Sequence, residues 1–218
     1  MTDILNIGGE SVFDDRIAKI ETHTYNPYVN TTFEHSDEIR IPIQQDLYTL
    51  PYESFLYIEG KLTVNKPAEG SDVTLGNNFM GIAFMFDEIR YELDGVEIDR
   101  NRNVGITSTL KNYVTISSDR TVIMRNAGWN AQTNATGYFN FCLPLAYMLL
   151  GFCEDYKRIV INARHELILI GSLNDNNCLI GNSALETVIN TFKIQWRMPH
   201  VILNEVNKLS MLRALESE

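Results

Sequence analysis

The residues best suited to catalysis or metal binding are scattered through this sequence. Its four histidines are His23, His35, His165 and His200. None of them has the H-x-H or H-x-x-x-H spacing that is typical of local metal sites. The pair His165-Glu166 offers a base and an acid, but it lies between two predicted strands, where we expect a tight turn whose imidazole bonds to the backbone. The sequence therefore predicts no metal site and no cofactor.

A cysteine nucleophile at Cys153 is the other catalytic arrangement that the sequence offers. Cys153 lies near Asp155 and precedes His165, and these two residues would act as orienting group and base. A nucleophilic thiol needs a lowered pKa, whereas the carboxylates of Glu154 and Asp155 would raise the pKa. The motifs G-x-S-x-G, G-x-x-x-x-G-K-[ST] and G-x-G-x-x-G do not occur. We therefore expect a protein that is not an enzyme.

Net charge and cysteine content restrict the partners and the compartment. With 18 Lys and Arg against 28 Asp and Glu, the 218-residue chain has a formal net charge of −10. That charge disfavours direct binding to nucleic acid, which depends on cations near the phosphates. The three cysteines have no C-x-x-C spacing, the N-terminus has no secretion signal, and no apolar run reaches the ~18 residues of a membrane span. We expect intracellular synthesis in a reducing compartment, without secretion and without a membrane span.

Period-two alternation of apolar and polar residues predicts several long β-strands. The alternation runs over 37–43, 54–64 and 186–198, and it flanks Asp94-Gly95, a dipeptide typical of tight hairpin turns. Shorter strands are predicted at 120–125, 138–143, 157–162 and 166–170. Helices are predicted at 107–114, at 145–152 and at 204–215.

The same alternation predicts which side chains are buried, because one face of each strand is apolar. In the last long strand, Asn190 is the one polar residue on the apolar face that includes Val188 and Met198. We expect the core to include Ile39, Ile41, Ile58, Leu62, Phe192, Ile194 and Trp196.

About eight or nine strands without a repeated βαβ rhythm predict an all-β fold. We expect an antiparallel jelly-roll β-sandwich with short helical insertions and a C-terminal helix. Residues 1–16 are predicted to form a flexible acidic N-terminal arm and 17–203 the jelly-roll domain. Residues 204–218 are predicted to form a C-terminal helix or a linker to a further domain.

Two apolar segments are candidates for contacts between subunits. The connector at 46–55 holds more large apolar side chains than a solvated loop needs, so it either folds back onto the core or contacts another subunit. The C-terminal helix has an apolar stripe and is too short to be stable without packing. The candidate interface residues are Leu47, Tyr48, Leu50, Tyr52, Val206, Leu209 and Leu212.

Three parts of the sequence resemble a known protein family. They are IPI at 41–43 with YTLP at 48–51, FDEIRYELDGVEIDR at 86–100, and LLGFCEDYK at 149–157 with RHELILI at 164–170. They resemble virus-like proteins encoded in insect and other invertebrate genomes, a family similar to the double jelly-roll major capsid proteins of the adenovirus and Polinton lineage. The resemblance covers most of 37–215.

The resemblance implies a structural viral or virus-derived capsid protein that self-associates into trimeric capsomers and a shell. Its partners would be other copies of itself and other capsid proteins, its location would be the virion, and no catalytic residue is implied. A length of 218 residues suits one jelly roll, so the chain is either the N-terminal half of a longer product or a single-jelly-roll relative. Two other functions remain open: a ligand- or carbohydrate-binding β-sandwich module, and a cupin-type enzyme, which the missing H-x-H pattern disfavours.

Overall fold

The described part of the chain covers nearly all of the predicted strands. The computed structural model describes residues 16–28, 33, 35–44, 48–65, 74–75, 81–128, 137–149, 151–174, 176–180 and 186–216. The predicted acidic arm, 1–16, lies outside these residues except for Arg16.

Strands dominate the described residues, and the helices are short. The strands are β1 (Ile17–Tyr25), β2 (Glu38–Ile43), β3 (Tyr48–Thr49), β4 (Phe55–Asn65), β5 (Thr74–Leu75), β6 (Phe86–Leu93), β7 (Val96–Arg102), β8 (Gly137–Pro144), β9 (Val160–Ile161), β10 (His165–Gly171), β11 (Leu179–Ile180) and β12 (Glu186–Leu203). The α-helices are α1 (Val104–Thr115), α2 (Ser118–Thr121), α3 (Phe152–Asp155) and α4 (Glu205–Glu216). Single 3-10 turns occupy Pro51–Glu53, Gly81–Met85, Ile123–Ala127, Leu145–Tyr147 and Asn176–Cys178. None of the described helices is long and apolar enough to cross a membrane.

The eight longer strands pair as four nested antiparallel pairs. β6 pairs with β7, β4 with β8, β2 with β10, and β1 with β12. Successive pairs alternate between two sheets, so that one sheet has the order β1-β12-β4-β8 and the other β2-β10-β6-β7. The short strands β3 and β9 extend the first sheet to six strands. Nested pairing that alternates between two facing sheets is the jelly-roll arrangement, so the fold class predicted from the sequence is confirmed.

The tight hairpin between β6 and β7 forms where the sequence predicts it. Asp94 and Gly95 have φ angles of 49° and 80°, the two positive values that a type I′ turn requires. The Asp94 carboxylate accepts a hydrogen bond of 2.9 Å from the Arg164 backbone N–H. This contact fixes the hairpin tip to the residue that precedes β10.

A β-bulge in β12 decides which of its side chains reach the core. Gly60 pairs with Thr191 and Glu59 pairs with Lys193, so Phe192 has no partner residue in β4. Before the bulge the odd-numbered residues face inward, and after it the even-numbered ones do. The prediction that Phe192 is buried is therefore wrong, since its side chain is 41% exposed. The other six residues of the predicted core are buried.

Gly60 makes the close approach at the bulge possible. A Cβ at this position would lie 2.3 Å from the Phe139 ring and 2.8 Å from the Asn190 carbonyl oxygen. Both distances are shorter than van der Waals contact, so a side chain here would push β4 away from its neighbours. Glycine in a strand interior commonly marks such a bulge.

The predicted strand at 120–125 is wrong. These residues belong to α2 and to the following 3-10 turn, in which Met124 and Ala127 are buried. A separation of three residues places both side chains on one side of a 3-10 turn. Gly128 ends the turn with a φ of 81°. Periodicity alone does not distinguish a strand from a helical turn in so short an apolar run.

The other predicted elements agree with the structure to differing degrees. The helix predicted at 107–114 is α1, and the helix predicted at 204–215 is α4. The helical segment predicted at 145–152 is a 3-10 turn followed by the start of α3. The strand predicted at 157–162 shrinks to the two residues of β9.

His165 lies inside the sandwich, so the predicted turn at His165-Glu166 is wrong. It begins β10, and its Nδ1 and Nε2 atoms lie 2.5 Å from Tyr91 Oη and 2.9 Å from Thr49 Oγ1. The Thr49 hydroxyl donates its proton to the Val160 carbonyl, so its oxygen accepts from Nε2–H, and Nδ1 accepts from the Tyr91 hydroxyl. The neutral imidazole is thus satisfied at both nitrogens.

We expect Trp196→Ala to lower the free energy of unfolding by about 3 to 5 kcal/mol, the usual cost of removing a buried aromatic side chain. Trp196 is fully buried, and its ring packs edge to face on Tyr91 with the centroids 5.8 Å apart. Phe192→Ala is the matched control and should cost less than about 1.5 kcal/mol, because its side chain is partly solvated. Urea unfolding followed by circular dichroism measures both. Equal costs for the two variants would contradict the bulge.

We expect His165 to make the protein less stable in acid. Burial, together with the nearby His200, lowers the pKa of His165 to about 4, although Asp94 acts in the opposite direction. In the unfolded chain the imidazole of His165 has a pKa of about 6.5, so it takes up a proton between pH 6.5 and 4 that it does not take up in the folded chain. The free energy of unfolding therefore falls as the pH falls through that window. In His165→Gln, the slope of the unfolding free energy against pH should be smaller by up to about 1.4 kcal/mol per pH unit.

The control for this pH dependence is His35→Gln, which replaces an exposed imidazole. The slopes of the two variants are compared between pH 6.5 and 4.5. A wild-type slope in His165→Gln would show that His165 titrates alike in the folded and unfolded chains.

Candidate assembly surface

The apolar connector folds back onto the six-stranded sheet. Tyr48 is buried in β3, and the backbone N–H of Leu50 donates to the Pro199 carbonyl oxygen at 3.0 Å. Leu50 and Tyr52 are half-buried, and Leu47 lies outside the described residues. Tyr52, one of the connector residues proposed for an interface, lines an open cleft.

The second predicted interface segment, α4, lies at the same end of the sheet. Tyr48 pairs with Val201 near the end of β12, and α4 begins just after that strand. Leu209 is more than half exposed. Val206 and Leu212 are in α4, but their side chains lie outside what the structure describes.

The outer face of the four-stranded sheet is covered by ion pairs within and between its own strands. Arg40 contacts Glu166 at 3.2 Å, and Arg90 contacts Glu88 at 2.9 Å. Ile168 points to this face between its register partners Arg40 and Arg90, and it is fully buried. The aliphatic stems of long charged side chains can cover an apolar neighbour in this way. The charges of this surface already have partners within the chain, which is typical of a solvated face.

The outer face of the six-stranded sheet is different, since it exposes aromatic rings. Tyr138 is 76% exposed and Phe192 is 41% exposed, and the two rings meet edge to face with centroids 6.2 Å apart. The Lys61 ammonium lies 5.3 Å from the centroid of the Tyr138 ring. Phe192 contributes to this surface because the bulge turns its side chain outward.

Two further cations stack on aromatic rings nearer the centre of this sheet. The Arg197 guanidinium lies 4.2 Å from the Tyr57 ring centroid and 5.9 Å from that of Phe55. Lys193 lies 5.9 Å from the Tyr57 centroid and contacts the Glu59 carboxylate at 2.6 Å. We call this surface the aromatic face, and it is formed by Phe55, Tyr57, Lys61, Tyr138, Phe192, Lys193 and Arg197.

An open cleft adjoins one end of the aromatic face. It has a volume of about 510 Å³. Its lining includes Tyr52, Phe55, Met124, Cys142, Pro144 and Tyr147. The floor comes from outward positions of β4 and β8, and one wall comes from the 3-10 turn that replaces the predicted strand at 120–125. The mostly apolar lining suits an apolar or aromatic side chain better than a charged ligand.

The groups considered for catalysis do not form a reactive site among the described residues. Cys153 is fully buried in α3, and burial together with Asp99 raises its thiol pKa well above the usual value, so the thiol stays protonated at neutral pH. The rings of His23 and His200 stack with centroids 4.3 Å apart, while His165 bonds to Tyr91. Within the described ranges, no group of three His, Cys, Asp or Glu residues is placed to hold a metal ion.

The exposed rings and the bulge were not identified as a site from the sequence. Phe192 was predicted to lie in the core. Tyr138 was predicted to lie in a strand, and the sequence does not show which residues of other strands lie beside it. The signal that could have located the bulge is Asn190, the polar residue on an otherwise apolar face. A polar interruption of strict alternation indicates a change of phase in the strand.

Three solved capsid structures share this fold. The PBCV-1 virus capsid has a TM-score of 0.53 at 11% identity, over 92% of this chain and 46% of that one. The faustovirus major capsid protein has a TM-score of 0.53 at 10% identity, over 98% and 59%. The mavirus major capsid protein has a TM-score of 0.56 at 7% identity, over 91% and 49%. The chain thus spans about half of the length of these capsid proteins, and identities this low show the fold alone.

A family model provides the evidence for membership. No curated protein sequence matches the chain. The model of the double jelly roll-like domain matches residues 73–218, which is about two thirds of the chain. On that match, the chain belongs to the double jelly roll-like domain family.

Proposed function

We propose that this chain is a structural protein of a viral or virus-derived capsid, which self-associates into trimeric capsomers and a shell. The observation that carries the proposal is the shared fold, which extends over 91 to 98% of the chain in three capsid structures. Its partners would be further copies of itself and other capsid proteins, and it would reside in the virion. The buried, protonated Cys153 and the fully bonded His165 support a role without catalysis.

The aromatic face and its cleft are the proposed contact surface for other subunits. Exposed tyrosine, phenylalanine and arginine are enriched at protein interfaces and supply much of their binding energy. Among its described side chains, the face also carries three cations and the Glu59 carboxylate, while the whole chain has a net charge of −10. A locally positive surface on an acidic chain is complementary to acidic surfaces of neighbouring copies. The interface residues proposed from the sequence also remain candidates. Tyr52 lines the cleft and Leu209 is exposed on α4, while Leu47, Val206 and Leu212 fall where the structure describes no side chain.

A carbohydrate-binding β-sandwich is the second candidate, and the aromatic face is the observation that favours it. Exposed aromatic rings with polar neighbours are the platform that a sugar needs, and Tyr138 has Lys61 beside it. A glycan-array signal that Tyr138→Ser abolishes, in a chain that stays monomeric, would support sugar binding and contradict the capsid role. A silent array would disfavour it.

We expect the double variant Tyr138→Ser/Phe192→Ser to self-associate at least tenfold more weakly than the wild type, because it removes both exposed rings. Val96→Ser/Ile98→Ser is the matched control, since it removes two exposed apolar side chains from β7 on the other sheet. Sedimentation velocity over a concentration series measures the oligomer fraction of each protein. Wild-type protein that is monomeric throughout, or equal weakening in both double variants, would refute the proposed surface.

A further inference from the structure

α1 presents an apolar stripe to solvent. Ile106 is 56% exposed, Leu110 64%, Tyr113 67% and Val114 81%. Separations of three and four residues place these side chains on one face of a helix. The opposite face packs inward through Val104, Ser108 and Asn112, which are buried. The stripe is therefore a continuous surface that the described part of the sandwich does not cover.

The helix that carries the stripe is held firmly on the sandwich. Gly105 lies against the Phe84 ring, where an added Cβ would come within 2.2 Å of the ring. The Asn112 side-chain amide donates to the Tyr147 carbonyl oxygen at 3.2 Å. A partner would thus meet a preorganised surface, which reduces the entropy lost on binding.

The stripe is uncharged in a strongly acidic chain. The one charged residue of α1, Lys111, is turned away to pair with Glu154 and to donate to the Ala146 carbonyl oxygen. No acidic residue occurs between Asp99 and Asp119, although the chain has 28 acids. A second copy can therefore approach at this helix without bringing like charges together. An anionic lipid surface would instead be repelled by the net charge of −10.

The side chains also suit packing of the helix against itself. Ile106, Leu110 and Val114 form a ridge with four-residue spacing, and Thr109 and Tyr113 form the ridge beside it. Ridges of this spacing from two helices interdigitate in the commonest class of helix packing, at about −50°. Because both helices would use the same ridge, the contact is isologous and closes on a two-fold axis.

We propose that α1 is a homotypic contact, in which the apolar stripe packs against the α1 stripe of a second copy across a two-fold axis. The inference deepens the proposed self-association and rests on it, but it concerns a surface other than the aromatic face. A standard interface buries about 800 Å² on each partner, more than four side chains of one helix provide. The contact is accordingly weak between two isolated chains and gains strength where other contacts hold the copies together.

Crosslinking at the centre of the stripe tests the proposal. Leu110→Cys and the control Ile20→Cys are made in a Cys142→Ser background, since Cys153 and Cys178 are buried. Ile20 is 53% exposed on the edge strand β1, so the two introduced thiols have similar access. A short bis-maleimide should yield at least tenfold more covalent dimer with Leu110→Cys than with Ile20→Cys at equal concentration. Equal yields would overturn the proposal.

A charge variant provides the second readout. In this experiment the crosslinked thiol is that of Val114→Cys. Adding Leu110→Glu places two like charges at the two-fold axis and should lower the crosslinking yield at least tenfold. Adding Leu110→Met should leave the yield unchanged. Both variants alter an exposed side chain, so equal urea midpoints would verify that the fold is intact. Equal crosslinking in the two variants would overturn the proposal. So would binding of the wild-type chain to phosphatidylcholine vesicles that Leu110→Glu abolishes, since this would assign the stripe to a lipid surface.

The crosslinking test of α1 and the sedimentation test of the proposed function can give different results. Large oligomers in sedimentation without a Leu110→Cys crosslink would leave the capsid role standing and remove α1 as a contact. Crosslinked dimers without larger oligomers would support the α1 contact and contradict assembly into a shell.

Discussion

The jelly roll depends on one central strand, β12, which pairs with other strands along both of its sides. β12 pairs with β4 and β3 along one edge and with β1 along the other, over 18 residues. Its register with β4 must change at Phe192, because inward residues are odd-numbered before that point and even-numbered after it. Gly60 permits the change, since no side chain fits between the Phe139 ring and the Asn190 carbonyl. The bulge thereby places Trp196 in the core and Phe192 on the surface.

The two outer faces follow from this arrangement and have opposite character. On the four-stranded sheet, arginines and glutamates of the same strand or of neighbouring strands pair with each other, and the outward Ile168 is buried. On the six-stranded sheet, the outward positions of β4, β8 and β12 hold rings with cations stacked on them. Surface charges that are already paired gain little from a partner, whereas exposed rings gain from being buried. Of the two outer faces, the aromatic face is thus the one that would gain more from being buried against another surface.

Local signals in the sequence predicted much of the fold. Asp94-Gly95 specifies the hairpin by its own backbone preference, and the alternation around Ile41 and Ile58 specifies two core strands. The predicted strand at 120–125 failed because an apolar run of three residues fits a helical turn equally well. Asn190 marks a change of phase within β12, but the bulge at Phe192 also depends on Gly60 in another strand, so the pattern of β12 alone does not determine it.

The candidate sites were harder to predict than the fold, because they combine residues that are distant in sequence. Thr49, Tyr91 and His165 lie in three different strands and contact each other in the core. The sequence near His165 predicts a turn because it does not show these contacts. The helix containing Leu110 was predicted, but periodicity does not reveal which face a sandwich covers. The apolar stripes of α1 and of the C-terminal helix have the same sequence signature, namely apolar residues at helical spacing.

The most direct test of the account is electron microscopy of the self-associated chain at a resolution that shows side chains. The account predicts an ordered assembly in which Tyr138 and Phe192 are buried against a neighbouring copy. It is contradicted if the chain yields only single jelly rolls, or if the assembly leaves these two rings open to solvent.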